Sequence, residues 1–319
     1  MSATRSRPVA EAIERFECFG GACSVLVAGP GPAGTALQAA ARARRRMLEW
    51  HVQFSRFDPR SELSRLNADR HEVVPVSGIM ARFVQAALEA ASITGGLLDP
   101  TLVAELERAG YAEHFGARSV PLAYALRRAP RRSPAGPRGD GRWRTVAVDP
   151  LASTVTRPVG VRLDSGGVAK GLFGDVLASV LGGHAAYAVN AAGDVRFGGA
   201  AGLLRPVQVS SPFDDSVLHT FAGVHGAAAT SGIGRRSWLN ADGRPAHHLL
   251  DPASGRPAYT GVVQVTARAR SGVLAEARAK AALLSGPERA REWLAHDGGL
   301  VVYETGEHEL VQAGALACQ

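Results

Sequence analysis

Apolar and polar positions along the chain fall into short strand-like runs separated by helical segments. Residues 14–28 read as a first strand or two, and the apolar run Ala22–Ala33 is broken by Gly and Pro, so it reads as a strand ending in a turn. Ala36–Phe57, rich in Ala, Leu and Arg, predicts a helix. Asp58-Pro59 breaks it, and Ser61-Glu62 can start a second, short one. Val73–Val76 reads as a short strand or connection. Ile79–Thr94 has an amphipathic helical pattern, closed by Gly95-Gly96. Further on, WRTVAVD and STVTRPVGVRLD look like strands. LDSGGVAKGLFGDVLASVLGG reads as strand, Gly turn and helix, and AAYAVNAAGDVRFGG as strand, turn and strand. Residues 205–230 predict β-hairpins. VVQVTARA predicts a strand, VLAEARAKAALLSG a helix extended by residues 288–295, and GGLVVYETGEHELVQ a closing hairpin.

No internal repeat or domain boundary is visible. Strands in runs, with helices between some of them, predict an α+β fold of antiparallel sheets packed with helices, a single unit over residues 1–319. Arg127–Arg144 (RRAPRRSPAGPRGDGRWR) reads as an exposed insertion loop with the composition of a disordered segment.

The net charge of +7 raises nucleic-acid binding as a possibility. The charge is spread, aromatic content is only 6%, and no stacking pattern accompanies it, so an anionic small ligand suits the surface better. No apolar run reaches membrane-spanning length. No signal peptide is evident at the start, and Cys18, Cys23 and Cys318 make no metal or redox motif, so a cytoplasmic setting is the expectation.

Two of the 36 basic residues are lysines, Lys170 and Lys280. Lys170 follows Asp164-Ser165-Gly166-Gly167, where glycines let backbone N–H groups approach an anion at a helix start. Asp164 can accept from a ribose hydroxyl or a ring N–H. Gly turns before helices are also common without any ligand. A second cluster is Thr230-Ser231-Gly232 with His248, Asp251-Pro252 and Gly255. A His before a turn can be a general base, or can merely bond the backbone, and neighbouring His247 leaves the active ring ambiguous. Asn190 and Gly193-Asp194 sit in a β-turn setting, where such residues usually do structural work. Glu276 and Lys280 lie one helical turn apart, the spacing of a surface pair.

The order of segments carries a resemblance. SRFDPRSELSRLN, TGGLLDPT, LDSGGVAKGLFGD, VNAAGDVRFGG, ATSG, HHLLDPASGRPA and then a helix with an acidic residue are similar to the FAD:protein FMN transferases, the ApbE-like flavin transferases, over about Phe16–Leu284. The resemblance implies cleavage of FAD, transfer of FMN through a phosphoester to Thr or Ser of a target protein, and release of AMP. It implies a flavin cleft between sub-layers of the fold and a need for Mg²⁺, which neutralises charge in phosphoryl transfer. It gives Phe57, Ser61, Asn67, Leu97, Leu98, Asp99, Asp164, Lys170 and His248 as ligand contacts. Lys170 matches the family's Gly–x–Ala–Lys–Gly turn, and His248 its His–x–x–Asp–Pro segment. Thr230, Ser231 and Gly232 match its Thr–Ser–Gly turn, and Gly167 the position whose carbonyl helps hold the metal. His248 and Lys170 are the catalytic candidates.

The sequence departs from the family at several points. Phe19-Gly20-Gly21 stands for Met–Gly–Thr, Phe57 for a Tyr, and Ala192-Gly193-Asp194 for Gly–Gly–Asp. In the metal segment, Ala–Asp–x–x–x–Thr becomes a helix with Glu276 and Lys280. Glu can still ligate, but an ammonium has no lone pair. Two like unit charges about 4 Å apart repel by roughly 4 kcal/mol at an effective dielectric of about 20. Lys280 therefore replaces the metal, marks an FAD-binding module or FAD hydrolase without transferase activity, swings away from a metal held by Glu276, or simply pairs with Glu276 on a surface.

Overall fold

Eight strands follow one another in space in the same order as in the chain. They are β1 (Glu11–Cys18), β2 (Gly21–Ala28), β3 (Ala186–Ala191), β4 (Asp194–Gly198), β5 (Gly226–Gly232), β6 (Val262–Ala269), β7 (Gly299–Tyr303) and β8 (His308–Val311), every neighbouring pair antiparallel. The architecture comes from a computed structural model that describes residues 10–113 and 119–314. Cys318 lies outside the described residues. The α+β class with antiparallel pairing agrees with the pattern of apolar runs.

The helices are α1 (Ala36–Gln53), α2 (Glu62–Ala68), α3 (Gly78–Ile93), α4 (Val103–Arg108), α5 (Leu122–Arg128), α6 (Ala169–Leu181), α7 (Gly272–Ser285) and α8 (Pro287–Leu294). Helices α1, α6 and α7 lie side by side, over β1–β2, β3–β4 and β5–β6 respectively. Their starts are written in the sequence. Thr35 and Gln38 form a capping box on α1, and Ser61, Ser77 and Ser271 cap α2, α3 and α7. Gly95 (φ +60°) and Gly96 (φ +88°) end α3 in left-handed conformations that a side chain would oppose. Phe173 of α6 stacks on Trp50 (4.8 Å) and meets Phe54 edge-on (5.1 Å), locking α6 against α1.

Four details differ from the sequence reading. Helix α1 stops at Gln53, not Phe57, because the Ser55 hydroxyl accepts from the Phe57 and Asp58 N–H groups (3.3 and 3.2 Å) and turns the chain early. Of Trp143–Asp149, only Ala147–Asp149 is strand, after a 3₁₀ turn at Arg142–Thr145. No strand runs into Asp164: after Thr154–Thr156 the chain is held instead by bonds from Arg157 to the Asp69 carbonyl (2.9 Å) and between Asn67 and Leu163.

The Arg-rich stretch is the fourth. It has no helix or strand from Ala129 to Gly141, yet it is strapped to the molecule. Arg132 pairs with Glu304 (2.6 Å) and Arg138 with buried Glu105 (2.7 Å). Ala135 N–H donates to the Leu284 carbonyl (2.8 Å), and Gly136 N–H to Asp251 (2.9 Å). Composition cannot anticipate acidic partners so distant in sequence.

Helix α7 is likewise no surface element. Glu276 is 1% and Lys280 8% exposed, with Ala275, Ala277, Ala279, Ala281 and Ala282 buried around them. The run of alanines lets α7 pack on the sheet, on α6 and on α8 at once.

Candidate active site

The turn after α1, the α3–α4 connection, the start of α6, the Arg235–Leu250 region and α7 enclose a cleft of about 280 Å³. Phe57, Leu97, Leu98 and Tyr111 form an apolar wall. The Arg56 guanidinium lies over the rings of Phe57 (4.6 Å) and Tyr111 (4.9 Å) and pairs with Asp164 (3.2 Å), so it braces that wall. Tyr111 in turn stacks on Trp238 (5.3 Å). Asp99 sits beside them. Its Oδ1 accepts from the N–H and hydroxyl of Thr101 (2.8 and 2.6 Å), while its buried Oδ2 has no hydrogen-bond partner. Burial pushes its pKa up.

Opposite stands the turn Asp164–Gly167 leading into α6. Asp164 Oδ2 accepts from Gly166 N–H (3.0 Å), and Ser165 Oγ donates to the Phe54 carbonyl (3.0 Å), which pins the turn to the end of α1. A Cβ on Gly167 would meet nothing within 4 Å. The turn therefore presents a smooth backbone surface at a helix N-terminus, a place suited to an anion.

Lys170, in the first turn of α6, reaches Asp194 at 2.5 Å. Asp194 is buried at the start of β4, and its other oxygen accepts from Thr230 N–H (3.0 Å). Burial alone would pull the Lys170 pKa down; Asp194 and Glu276 outweigh it, and the net shift is upward, so the ammonium stays charged. Asp194 is thus more than a turn residue, unlike Asn190, whose side chain accepts from Gly193 N–H (2.8 Å) within the turn.

The two histidines separate cleanly. His247 is 1% exposed, packs edge-on against Tyr259 (4.8 Å) and accepts from Leu249 N–H (3.3 Å). Burial lowers its pKa to about 3. His248 borders the cleft, its buried Nδ1 without a hydrogen-bond partner. Burial, then the charges of Arg236 and Lys280, hold it well below the usual histidine value, so its ring is neutral.

Helices α6 and α7 approach closely where two glycines meet: a Cβ on Gly171 would lie 2.5 Å from the Gly272 carbonyl carbon. One turn past Gly272, Glu276 Oε2 accepts from Gly171 N–H (2.9 Å). Its Oε1 accepts from Lys280 Nζ (2.8 Å), which also donates to the Gly167 carbonyl (2.9 Å). Gly167 and Glu276, expected to hold Mg²⁺, are therefore brought together around an ammonium. These residues do not fit a divalent ion: the two oxygens are engaged by a cation, and position 280 offers no lone pair. Among the described residues no group of three or more His, Cys, Asp or Glu side chains is placed to hold a metal ion.

Of the expected contact residues, Phe57, Leu97, Leu98, Asp99, Asp164, Lys170 and His248 border the cleft, with Gly167 and Lys280. Ser61, Asn67, Thr230, Ser231, Gly232 and Glu276 do not. Ser61 caps α2 and donates to the Ser55 carbonyl (2.6 Å). Asn67 clamps Leu163 through two bonds (2.8 and 2.7 Å), Thr230 pairs with Thr266 across β5–β6 (2.8 Å), and Ser231 and Gly232 continue β5. Arg56, Tyr111, Arg235 and Arg236 line the cleft without having been singled out in the sequence. Arginine is so common in this chain that its identity gave no signal.

The profile of the ApbE family matches residues 19–303. An FAD:protein FMN transferase of Escherichia coli K12 is 29% identical over 103 residues, 32% of this chain and 29% of that protein's length. The fold superposes on an ApbE protein of Thermotoga maritima with a TM-score of 0.75, at 26% identity over 96% of this chain and 99% of the other. It superposes on the flavin transferase ApbE of Vibrio cholerae with a TM-score of 0.73, at 20% identity over 97% and 99% of the two chains. The order of motifs, the fold and the profile agree: the chain belongs to the ApbE family.

Proposed function

We propose that the protein is an FAD:protein FMN transferase. The observation that carries this reading is the convergence of Lys170, Lys280 and neutral His248 on one cleft beside the Gly166-Gly167 turn. Five cations (Arg56, Lys170, Arg235, Arg236 and Lys280) border the cleft with two carboxylates (Asp99 and Asp164), and Asp194 and Glu276 lie behind the two lysines; the positive balance that is left suits a pyrophosphate.

The FAD pyrophosphate lies against the turn, where Lys170 and Lys280 offset its charge. The apolar wall of Phe57, Leu97, Leu98 and Tyr111 takes a ring. The unpaired Asp99 Oδ2 accepts a ring N–H, and Asp164 accepts a sugar hydroxyl. His248 takes the proton of an acceptor Thr or Ser hydroxyl. That oxygen bonds to the FMN-side phosphorus as the bond to the bridging oxygen breaks, and AMP leaves with the bridging oxygen. The arriving anion offsets the cations that depress His248, which makes the imidazole a better base once FAD is bound. The partner is a protein segment presenting the acceptor hydroxyl. No described helix is long and apolar enough to cross a membrane.

The test is incubation with FAD and a Thr- or Ser-bearing protein substrate, followed by mass spectrometry for covalent FMN and chromatography for AMP. Both products are expected, and both disappear in His248→Ala. FAD binding without AMP or an FMN adduct would sink the reading.

A further inference from the structure

We infer that Lys280 is a built-in counter-ion, so that FAD pyrophosphate binding in this chain needs no divalent metal. The identity of the ligand rests on the reading above; the geometry of the ammonium does not. Lys280 Nζ sits 2.9 Å from the Gly167 carbonyl and 2.8 Å from Glu276 Oε1. Glu276 cannot turn away, because its other oxygen accepts from Gly171 N–H (2.9 Å) at the point where α6 and α7 nearly touch. The ammonium has three N–H donors, and these contacts engage two. Lys280 borders the cleft, where the third can meet a phosphate oxygen.

Withdrawal of Lys280 into solvent is opposed by the same geometry. Glu276 is 1% exposed, and without its partner it would be an uncompensated buried charge. Arrival of a cation beside Lys280 is opposed by like-charge repulsion. The sequence adds a separate observation. The chain has 36 basic residues, and its two lysines both border this one cleft. A lysine is a compact point charge on a flexible stem, where an arginine is a planar fork, and a point charge suits the position between the Gly167 carbonyl and the Glu276 carboxylate.

The experiment measures FAD affinity by flavin fluorescence in EDTA and in Mg²⁺, with Mn²⁺ as a spin probe for metal binding in the presence of FAD. The wild-type protein is expected to bind FAD equally, within about twofold, in both media, and to take up no Mn²⁺ beyond that bound by free FAD. Lys280→Thr, which offers a lone pair, is expected to lose about tenfold or more in affinity in EDTA and to recover with Mg²⁺ while binding Mn²⁺. Should Lys280→Thr not fold, Glu276→Gln/Lys280→Met removes both charges together and is expected to lose affinity with no rescue by metal. One Mn²⁺ per wild-type protein, or an affinity that rises about tenfold on adding Mg²⁺, would overturn the inference. These are binding readouts, so they are independent of transfer. Metal-free FAD binding without FMN transfer defeats the transferase reading and leaves Lys280 as counter-ion. FMN transfer that requires Mg²⁺ defeats the counter-ion and leaves the transferase.

Discussion

Lys170 and Asp194 form a 2.5 Å ion pair beneath the cleft, and Asp194 holds a strand of the sheet by its second oxygen. The pair joins the ligand-facing lysine to the framework, so loss of one member strands a charge in a site that is 18% exposed for Lys170 and 6% for Asp194.

Asp194→Asn keeps an acceptor for Thr230 and removes the charge. The expected cost is about 3 kcal/mol in urea denaturation, since breaking one side of a buried pair leaves the other uncompensated. The Lys170 pKa is raised in the fold, so this contribution is fully present below the unfolded lysine value of about 10.4 and is lost only as pH climbs through the higher folded value. A stability change below about 0.5 kcal/mol at pH 7 would show that Asp194 does not carry Lys170.

His247 and His248 are both held neutral by burial, but only His248 borders the cleft, so they separate a stability effect from a catalytic one. His247 has an unfolded value near the ordinary 6.5 and a folded value of about 3. The unfolded chain therefore binds the extra proton first. Stability is unaffected above pH 6.5 and falls as pH drops from there toward 3, by about 1.4 kcal/mol per pH unit for this one group. His247→Asn, whose side-chain oxygen can still accept from Leu249, should reduce the slope, in denaturation curves measured between pH 6.5 and 4, by about 1.4 kcal/mol per pH unit, leaving the part that buried His248 contributes. His248→Ala should instead abolish transfer at pH 7. An unchanged slope in His247→Asn would refute the assignment.

Gly171 and Gly167 lie four residues apart and should respond in opposite ways to Ala. At Gly171 the new Cβ strikes the Gly272 carbonyl, spreads α6 from α7 and displaces Glu276; a loss of about 1–3 kcal/mol is expected. At Gly167 it meets open space, and melting should shift little. Equal melting temperatures for the two variants would contradict the close helix approach.

Asn67 reaches the cleft only through Leu163. Asn67→Ala should cost about 2 kcal/mol by removing two side-chain bonds, and should weaken FAD by releasing the Asp164 turn. Asp99→Asn keeps the Oδ1 acceptor for Thr101 and turns the partnerless Oδ2 into a donor, so it should weaken FAD with little loss of stability. Calorimetry of both variants separates the two roles.

The central sheet and most helices were legible because each rests on local signals: alternation in β1 and β2, Ser and Thr caps, and the glycines after Ile93. The cleft was legible only where order along the chain stood in for distance. By residue chemistry alone His248 could not be told from His247, because burial is a property of the packed ring; only its place in the His–x–x–Asp–Pro segment singled it out. Ser61 and Asn67 lie beside the cleft segments in sequence, yet they turn inward to cap α2 and to clamp Leu163. By spacing alone Glu276 and Lys280 read as a surface pair, because that spacing is the same on any helix face; only the resemblance pointed to a site. Only the packing of α7 against α6 separates the two cases.

The pairing of β2 with β3 has a further consequence. Ala28 meets Ala186, so everything from α1 through α6, including most of the cleft, is spun out between two adjacent strands. On a ribosome, the opening hairpin emerges early and then waits with one edge unpartnered until β3 has been synthesised. Closing so long a loop makes this contact a late event in folding, whereas the hairpins of the second half can form as they appear. Truncations ending before Ala191 should therefore be the aggregation-prone ones, and the nascent first half the natural client of a chaperone.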